Sequence, residues 1–345
     1  MSRSYRVVAL PGEGIGPEVV ESALRVLQQL AMLHGFSVAI APGLIGNPAL
    51  EACGEYFPVE TAQLCEGANG ILLGAVSKGG LLELRKHFDF FINLRPVRPS
   101  PALWQQSPLK AEFLHKVDLL FVRELAGGIY FGASGRSRDN RGCYGFHTMQ
   151  YHDHEIQRIA RVALHHAQQR RCHLTVAHKE NALPHLPWTA LVQSVAAEFP
   201  DVTVEPMLVD NLAMQLIRQP QRFDVILAGN LFGDILSDLG GAIAGSIGLL
   251  GSASLNEQGF GLYEPVHGTA PDIAGQGIAN PMGAIASVGL MLQQWGEAIA
   301  AAQLSVAQEA LLAQGYRTAD LTQQAYGSFV TTQEWTQLLI SRLNA

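Results

Sequence analysis

Short apolar runs alternate with amphipathic helical patterns along this chain, and this alternation constrains the fold more than any other feature. Helical spacing of apolar residues marks segments 17–34, 155–169 and 188–198, and a longer helical region covers 281–311. The strand-like runs are residues 6–10, 36–41, 70–74, 117–122, 174–176, 202–204 and 225–228. Strands that alternate with helices predict an α/β fold with helices packed on a sheet.

Composition bounds the number of domains and argues against three classes of protein. At roughly 150 residues per domain, 345 residues indicate two domains. An apolar fraction of 48% excludes a disordered chain. With 23 basic and 30 acidic residues, the net charge of −7 gives no electrostatic footprint for nucleic acid. The most apolar late stretch, residues 240–255, falls short of the roughly 20 residues of a membrane span.

The cysteines and the first residues bear on the compartment. Cys53, Cys65, Cys143 and Cys172 form no C-x-x-C pair and have no zinc-type spacing. The first ten residues lack the apolar region and small-residue cleavage site of a signal peptide. We therefore expect reduced thiols and a cytoplasmic protein.

A glycine-rich loop at residues 11–17 separates the first strand-like run from the first helix. It reads G-x-G-x-G-P, whereas a Rossmann dinucleotide site needs G-x-G-x-x-G. The second run ends at Ala41 and Pro42, with no acidic side chain for the ribose hydroxyls of a dinucleotide. A Rossmann site and a tight turn that lets the backbone approach another group therefore both remain open.

Two aspartates, Asp234 and Asp238, are four residues apart and would share one face of a helix. Asp210 follows an apolar run and could add a third carboxylate. Three carboxylates without cysteine or histidine are typical of Mg²⁺ or Mn²⁺ sites. The alternative is a pair of solvated aspartates that cap a helix and interact with its dipole.

Three arginines, Arg85, Arg95 and Arg123, lie in apolar surroundings and must find anions there. A substrate with two carboxylates is one answer. Internal salt bridges to Glu83 or Glu124 are the other, and the sequence does not decide between them.

Lys179 closes a strand-like run. A desolvated lysine beside a metal has a lowered pKa and can act as a general base. Most lysines in such positions are simply exposed at the end of a strand.

Five long motifs resemble those of the β-decarboxylating dehydrogenases, the isocitrate/isopropylmalate dehydrogenase family. In chain order they span essentially the whole sequence, and the version at residues 122–132 is similar to that of the isopropylmalate branch. The motifs are residues 10–18 (LPGEGIGPE), 93–96 (NLRP), 122–132 (VRELAGGIYFG), 229–238 (GNLFGDILSD) and 264–275 (EPVHGTAPDIAG).

The resemblance implies an architecture. The fold would be an isopropylmalate dehydrogenase-like α/β fold with a doubly wound, mostly parallel, non-Rossmann sheet. Residues 1–91 plus 246–345 would form a cofactor-side domain. Residues 92–245 would form a central substrate and dimerisation domain, with an arm near 130–151 that clasps a second subunit. The active form would be a homodimer, each site completed by Lys179 and Asp210 of the partner subunit.

The resemblance also implies a reaction, the NAD-dependent oxidative decarboxylation of a 3-substituted (2R)-malate with Mg²⁺ or Mn²⁺. Lys179 would accept the proton of the C2 hydroxyl, and Tyr130 would donate a proton to C3. The malate carboxylates would be bound by Arg85, Arg95 and Arg123, and the metal would be held by Asp234, Asp238 and the partner's Asp210.

For the cofactor, the resemblance matches Asp272 to the residue that accepts the ribose hydroxyls of adenosine. A carboxylate there repels a 2′-phosphate, so we expect NAD rather than NADP. The adenine side of the cofactor would be lined by His267, Gly268, Ala270, Ile273 and Asn280.

Three departures from the family pattern bear on the substrate. The loop at residues 75–80 is short and places Lys78 where the family has a glutamate near the nicotinamide. His178 stands before Lys179, as is more usual in isocitrate and homoisocitrate relatives. Glu13 replaces an aspartate of the glycine loop.

Leu81 and Leu82 match the family position that contacts the substituent on C3, and leucine there favours an apolar group. We expect isopropyl first, as in leucine biosynthesis, or a larger alkyl or benzyl group. Tartrate, D-malate or homoisocitrate are the polar alternatives. A catalytically silent ligand-binding homologue is disfavoured because all the charged catalytic positions are retained.

Overall fold

The computed structural model describes residues 3–322 and 328–345. Its strands are β1 (Arg3–Gly12), β2 (Phe36–Pro42), β3 (Gly70–Ala75), β4 (Ile92–Val97), β5 (Leu119–Glu124), β6 (Ser134–Asp139), β7 (Gly142–His147), β8 (His173–His178), β9 (Thr203–Leu208), β10 (Val225–Ala228), β11 (Gly251–Leu255), β12 (Gly261–Pro265), β13 (Tyr316–Arg317) and β14 (Ser328–Phe329). Its α-helices are α1 (Gly16–His34), α2 (Asn47–Cys53), α3 (Val59–Glu66), α4 (Leu81–His87), α5 (Ala111–Leu114), α6 (Asp153–Gln168), α7 (Trp188–Ala196), α8 (Val209–Arg218), α9 (Asn230–Ala244), α10 (Met282–Gln294), α11 (Ala298–Ala313) and α12 (Thr332–Leu343).

The chain divides into two compact units. Unit 1 comprises Met1–Phe90, Pro99–Ala111 and Gly240–Ala345, and unit 2 comprises Phe91–Arg98 and Glu112–Leu239. No helix in the described ranges is long and apolar enough to cross a membrane.

Unit 1 contains five sheet strands in the order β2-β1-β3-β12-β11. The first four are mutually parallel, and β11 pairs antiparallel with β12. All six residues of β3 are buried, which is typical of a parallel strand covered on both faces. The parallel arrangement brings the segments that follow β1, β3 and β12 to one edge of the sheet.

Unit 2 contains the order β4-β5-β10-β8-β9. Here β4 pairs antiparallel with β5, and the other pairs are parallel. Helix α6 packs on β5, β8 and β10 through its buried face. Strands β6 and β7 form a separate antiparallel hairpin with nearly all residues exposed. The predicted α/β fold with a mostly parallel sheet is confirmed.

The helical region predicted over 281–311 is in fact two helices, α10 and α11. They separate at Gly296, whose φ of +81° lies in the left-handed region that favours glycine. The segment expected to form an arm, residues 130–151, contains the β6–β7 hairpin.

The boundaries of the two units differ in part from the domains predicted from the sequence. Residues 99–111 and 240–245, assigned above to the central domain, group with unit 1. The first of these segments is bound to the C-terminal part of the chain. Arg317 Nη2 donates to the carbonyl of Ala102 at 2.8 Å, and Ser100 Oγ donates to Glu309.

Candidate active site

Four of the side chains that the sequence singled out in unit 2 lie at or just after the carboxyl ends of four neighbouring strands. Arg123 is the penultimate residue of β5, and Asp234 lies in α9, which follows β10. Lys179 follows β8 directly, and Asp210 lies in the first turn of α8, which follows β9. In open parallel sheets this edge is where ligands bind. The topology therefore places these groups on one edge of unit 2.

Arg123 is held along its whole length. Its Nε and Nη2 donate to Asn230 Oδ1 at 3.1 and 2.8 Å, and its Nη1 donates to Asp234. A Cβ on Gly233 would lie 2.6 Å from Arg123 Cγ, so glycine makes room for the arginine stem. Arg123 is 3% exposed, and its guanidinium therefore has one fixed orientation.

Arg95, on β4, reaches the same helix. Its Nη1 donates to Ser237 Oγ at 2.8 Å and to Asp238 Oδ1 at 2.9 Å, and its Nη2 lies 3.6 Å from Asp234 Oδ1. Two buried arginines thus face two aspartates on one face of α9. We call these four residues the Arg–Asp cluster.

The two aspartates repel each other, and this repulsion contributes to the raised pKa of Asp238. Burial raises the pKa of Asp238, the charge of Asp234 raises it further, and Arg95 opposes both effects. The side chains of Asp234 and Asp238 keep 35% and 52% of their surface exposed. Exposed carboxylate oxygens that share a face suit a hard divalent cation such as Mg²⁺ or Mn²⁺. Among residues 3–322 and 328–345, however, no three His, Cys, Asp or Glu side chains lie close enough to hold a metal ion.

The predicted third metal ligand has another partner in this chain. Asp210 Oδ2 lies 2.9 Å from Lys179 Nζ, and the hydrogen bond from this lysine lowers the pKa of Asp210. Lys179 also lines a largely apolar cavity with Leu183, Trp188 and Phe232. The lysine and the aspartate thus form one pair, separate from the Arg–Asp cluster.

Tyr130 joins the Arg–Asp cluster from the segment after β5. Its hydroxyl donates to Asp234 Oδ2 at 3.3 Å. Burial raises its pKa, and the nearby charge of Asp234 raises it further. The phenol is therefore protonated at neutral pH and available as a proton donor.

Glu124, next to Arg123, was one alternative partner for the arginines, and its carboxylate engages the turn that follows β5. Its carboxylate accepts from the backbone N–H groups of Ala126 and Gly127 at 2.8 and 2.9 Å. Burial raises the pKa of Glu124 to about 7. This residue fixes the turn after β5.

In unit 1, Arg85 pairs with a residue that the sequence analysis did not consider. Its Nη2 donates to Glu264 Oε1 at 2.8 Å, and both residues are 8% exposed. Glu83, the partner weighed above, does not form this bond because it lies on the exposed side of α4. Among the described residues, the Nε atoms of Arg85 and Arg95 are buried without a hydrogen-bond partner. Each arginine therefore keeps a buried donor that an anionic ligand could satisfy.

The glycine loop lies against two other segments of unit 1. A Cβ on Gly12 would lie 2.0 Å from the carbonyl oxygen of Ala75, and one on Gly14 would lie 2.0 Å from that of Thr269. The Glu13 carboxylate accepts from the backbone N–H of Ser77 at 2.9 Å. The loop is therefore a tight turn that holds the segments after β3 and β12 in place.

The proposed cofactor residues lie in the segment after β12. His267 has a buried Nε2 without a hydrogen-bond partner among the described residues, and burial lowers its pKa. Ala270 has a left-handed φ of +38°, and a Cβ on Gly268 would meet open space. Asp272 is exposed. An unpaired imidazole nitrogen and an exposed carboxylate are donors and acceptors that fit a dinucleotide.

Four further predicted residues are placed as follows. Asn280 is buried and already engaged, since its Nδ2 donates to Asp320 at 3.0 Å and its Oδ1 accepts from the N–H of Met282. Ile273 is half-buried. Leu81 packs against the hydrophobic core, whereas Leu82 is 44% exposed.

Comparison with known proteins decides the family. A family model described as isocitrate/isopropylmalate dehydrogenase matches residues 6–339. The chain belongs to this family. It is therefore a decarboxylating dehydrogenase, an enzyme that acts on a small molecule, and the family implies a nicotinamide cofactor and a divalent metal.

Relatives and structures agree with this membership. The chain is 45% identical over 336 residues to 3-isopropylmalate dehydrogenase of Mannheimia succiniciproducens, covering 92% of this chain and 94% of the relative. It is 47% identical over 335 residues to that of Salinibacter ruber, covering 93% and 90%. The crystal structure of isocitrate dehydrogenase from Methylococcus capsulatus matches with a TM-score of 0.89 at 29% identity, covering 99% of this chain and 100% of that one.

Sequence reasoning missed several residues that this dehydrogenase uses to hold its charged groups. Asn230 and Ser237 hold Arg123 and Arg95, and Glu264 holds Arg85. All three lie inside motifs that carry the family resemblance. The motifs mark these positions, but they do not indicate which arginine each residue binds.

Proposed function

We propose that this enzyme catalyses the NAD-dependent oxidative decarboxylation of a 3-substituted (2R)-malate to the 2-oxo acid and CO₂, with 3-isopropylmalate as the first candidate. The Arg–Asp cluster with Tyr130 carries the proposal. It combines buried cations for carboxylates, oxygen ligands for a metal and a protonated phenol within one unit. The names of the relatives support the choice of substrate.

The arginines would bind the two carboxylates of the malate. Arg85, Arg95 and Arg123 are all less than 9% exposed, and charge-assisted hydrogen bonds are strongest where water is excluded. The buried, unpaired Nε atoms of Arg85 and Arg95 support this role because a bound carboxylate would satisfy them. Fixed guanidinium groups would also orient C2 for reaction.

Two side chains would move protons. Lys179 of the partner subunit would accept the proton of the C2 hydroxyl, and the partner's Asp210, 2.9 Å from that lysine, would stabilise the resulting ammonium. Tyr130 would donate its hydroxyl proton to C3 once CO₂ has left, which its raised pKa permits at neutral pH. When bound, NAD accepts the hydride and the divalent cation polarises the carbonyl at C2.

The choice of NAD rests on Asp272. This exposed carboxylate would accept hydrogen bonds from the ribose hydroxyls of the adenosine, with His267, Gly268 and Ala270 beside it. The same negative charge would repel the 2′-phosphate of NADP. Replacing Asp272 should therefore relax the preference for NAD.

The C3 substituent would be apolar. Leu82 is exposed and free to contact a ligand, whereas Leu81 packs against the hydrophobic core. The short loop at residues 75–80 would leave space for a group larger than isopropyl. Positions 81 and 82 are both leucine, so neither provides a charged side chain that could stabilise a charged substituent.

A homodimer would complete each site. The Arg–Asp cluster lacks a third oxygen ligand in the described part of its own chain, and Asp210 of the partner subunit would supply it. Helices α8 and α9 expose large apolar side chains, namely Met214, Ile217 and Ile235, at 57%, 37% and 61%. Such a surface favours contact with a second copy.

The test is formation of NADH with Mn²⁺ or Mg²⁺ across a panel of substrates. The panel contains 3-isopropylmalate, bulkier 3-alkyl malates, 3-benzylmalate, D-malate, tartrate and homoisocitrate. We expect the highest kcat/KM with an apolar C3 substituent. Fastest turnover of D-malate, tartrate or homoisocitrate would refute the apolar pocket. No turnover of any compound would identify a silent homologue.

The role of Tyr130 is tested by Tyr130→Phe. Because the hydroxyl is needed only after hydride transfer, the variant should slow release of the decarboxylated 2-oxo acid more than the first burst of NADH. Rapid-quench analysis of a single turnover measures both steps. If the variant slows both steps equally, Tyr130 is not the proton donor to C3.

A further inference from the structure

Asn230 links several elements around Arg123. Its Oδ1 accepts two hydrogen bonds from Arg123, through Nε at 3.1 Å and Nη2 at 2.8 Å. Its Nδ2 donates to the carbonyl oxygens of Leu125 and Gly127 at 3.2 and 3.0 Å. The residue is 2% exposed. One buried amide therefore connects the start of α9 to Arg123 and to the turn after β5.

Asn230 is itself fixed by Tyr151. The backbone N–H of Asn230, at the first residue of α9, donates to Tyr151 Oη at 2.7 Å. The first N–H groups of a helix have no partner within the helix, so this bond satisfies a group that would otherwise be unpaired. The Tyr151 ring also packs edge-to-face on Trp188, with ring centroids 5.1 Å apart.

Glycines make the space that this arrangement requires. A Cβ on Gly128 would lie 2.5 Å from Tyr151 Oη, and one on Gly229 would lie 2.9 Å from the same atom. A Cβ on Gly127 would lie 2.7 Å from the tyrosine ring. Both chain segments that approach the tyrosine are therefore built from glycine, and the hydroxyl is held between them.

The turn after β5 is rigid for a separate reason. The buried Glu124 carboxylate accepts from the N–H groups of Ala126 and Gly127, so the carbonyls that receive Asn230 Nδ2 are held in place. The orientation of the amide is thereby defined at both ends, with its oxygen toward the guanidinium and its nitrogen toward the carbonyls.

We propose that Asn230 is a positioning residue that sets the plane of the Arg123 guanidinium for one carboxylate of the substrate, and that Tyr151 holds Asn230 in that position. This inference rests on the proposed function, in which Arg123 binds the malate. Two bonds to one acceptor fix the Nε–Nη2 edge of the guanidinium, and the bond to Asp234 fixes the Nη1 side. Neither Asn230 nor Tyr151 needs to touch the substrate for this role.

The test combines Asn230→Ala with Arg123→Lys in a double-mutant cycle. Loss of the amide should raise KM for the malate about 10- to 100-fold and leave KM for NAD unchanged, because a misplaced binding group weakens only its own ligand. In the Arg123→Lys background, Asn230→Ala should change kcat/KM by less than about twofold. If the two losses multiply instead, or if KM for NAD rises equally, Asn230 does not act through Arg123.

A milder variant and a matched control guard against misfolding. Tyr151→Phe removes only the hydroxyl and should raise KM for the malate in the same direction by a smaller factor. Asn256→Ala removes an asparagine of unit 1 that also makes several hydrogen bonds, to Phe88, Gln258 and Phe260, none of these with an arginine. It should lower the melting temperature without changing KM for the malate. A raised KM in this control would make the effect of Asn230→Ala a general one and overturn the proposal.

A readout without turnover separates this proposal from the proposed function. In protein labelled with ¹⁵Nε-arginine, the Arg123 Nε–H resonance, identified by its loss in Arg123→Lys, should exchange slowly with solvent in the wild type and rapidly in Asn230→Ala. An unchanged exchange rate of the Arg123 Nε–H proton in Asn230→Ala would refute the positioning role. A changed resonance in an enzyme that oxidises no 3-substituted malate would uphold the positioning role and refute the proposed substrate.

Discussion

The ion pair between Arg85 and Glu264 gives a quantitative test of what holds unit 1 together. The two side chains are 2.8 Å apart, and each residue is only 8% exposed. Glu264→Ala would leave the guanidinium buried without its counter-charge. Removal of one partner of a buried pair costs about 3–5 kcal/mol, so we expect that decrease in the free energy of unfolding.

The assay is guanidinium denaturation followed by circular dichroism, at constant pH. The matched control is Glu198→Ala, since Glu198 pairs with Arg161 at 2.6 Å but both side chains are more than half exposed. The control should leave the denaturation midpoint unchanged because solvent screens an exposed pair. A third variant, Arg85→Met with Glu264→Leu, removes both charges and should recover most of the stability lost in Glu264→Ala.

The result that refutes this reasoning is a midpoint for Glu264→Ala equal to that of Glu198→Ala. Arg85 would then be satisfied by other groups, and its pairing with Glu264 would contribute nothing to the folded state. A double variant that is less stable than Glu264→Ala would also contradict the argument, because it would assign the loss to packing rather than to an unpaired charge.

Three further perturbations have defined outcomes. Burial raises the pKa of Glu124 from its ordinary value of 4.5 to about 7, so the folded protein holds this proton more tightly than the unfolded chain. The contribution of Glu124 to the free energy of unfolding is thus complete below about pH 4.5 and is lost as the pH rises through about 7. Glu124→Gln should remove this decline when the free energy of unfolding is measured at pH 5 and pH 8. Gly14→Ala should raise KM for NAD, with KM for the malate unchanged, because the added Cβ meets the carbonyl of Thr269; an unchanged KM for NAD would exclude this loop from cofactor binding. Asp238→Asn should raise the Mn²⁺ concentration for half-maximal activity by about 10- to 100-fold, measured by metal titration of the chelator-treated enzyme, and no rise would exclude Asp238 as a ligand.

Much of the fold followed from hydrophobic pattern because the parallel strands are buried on both faces. β3 is continuously apolar and was predicted from that pattern alone. The strands β4, β11 and β12 were not predicted. They contain buried polar residues such as Asn93, Ser252 and Glu264. Such residues can be assigned to a buried strand only when their tertiary partners are known.

For the candidate site, the sequence predicted the types of functional side chain but not which residues pair with one another. The charged residues were recognised individually, but the partner of Arg85 is 179 residues away in the chain, and that of Arg123 is 107 residues away. Local sequence holds no signal for such pairs, so the nearby Glu83 and Glu124 were considered instead. The sequence likewise did not decide the role of the glycine loop. Gly12 and Gly14 make their contacts with carbonyl groups that are distant in the chain.

The discontinuity of unit 1 has a consequence for synthesis of the protein. Helix α1 buries Val19, Val26 and Leu30, and it packs against α10 and α12. On the ribosome the last segment of unit 1, which begins at Gly240, emerges long after α1. At about 5–20 residues per second, the roughly 100 residues of the segment Gly240–Ala345 take about 5–20 s to be synthesised. During that interval most of unit 2 has already been synthesised, whereas the apolar face of α1 lacks its neighbours and is the surface of the nascent chain that a chaperone would bind.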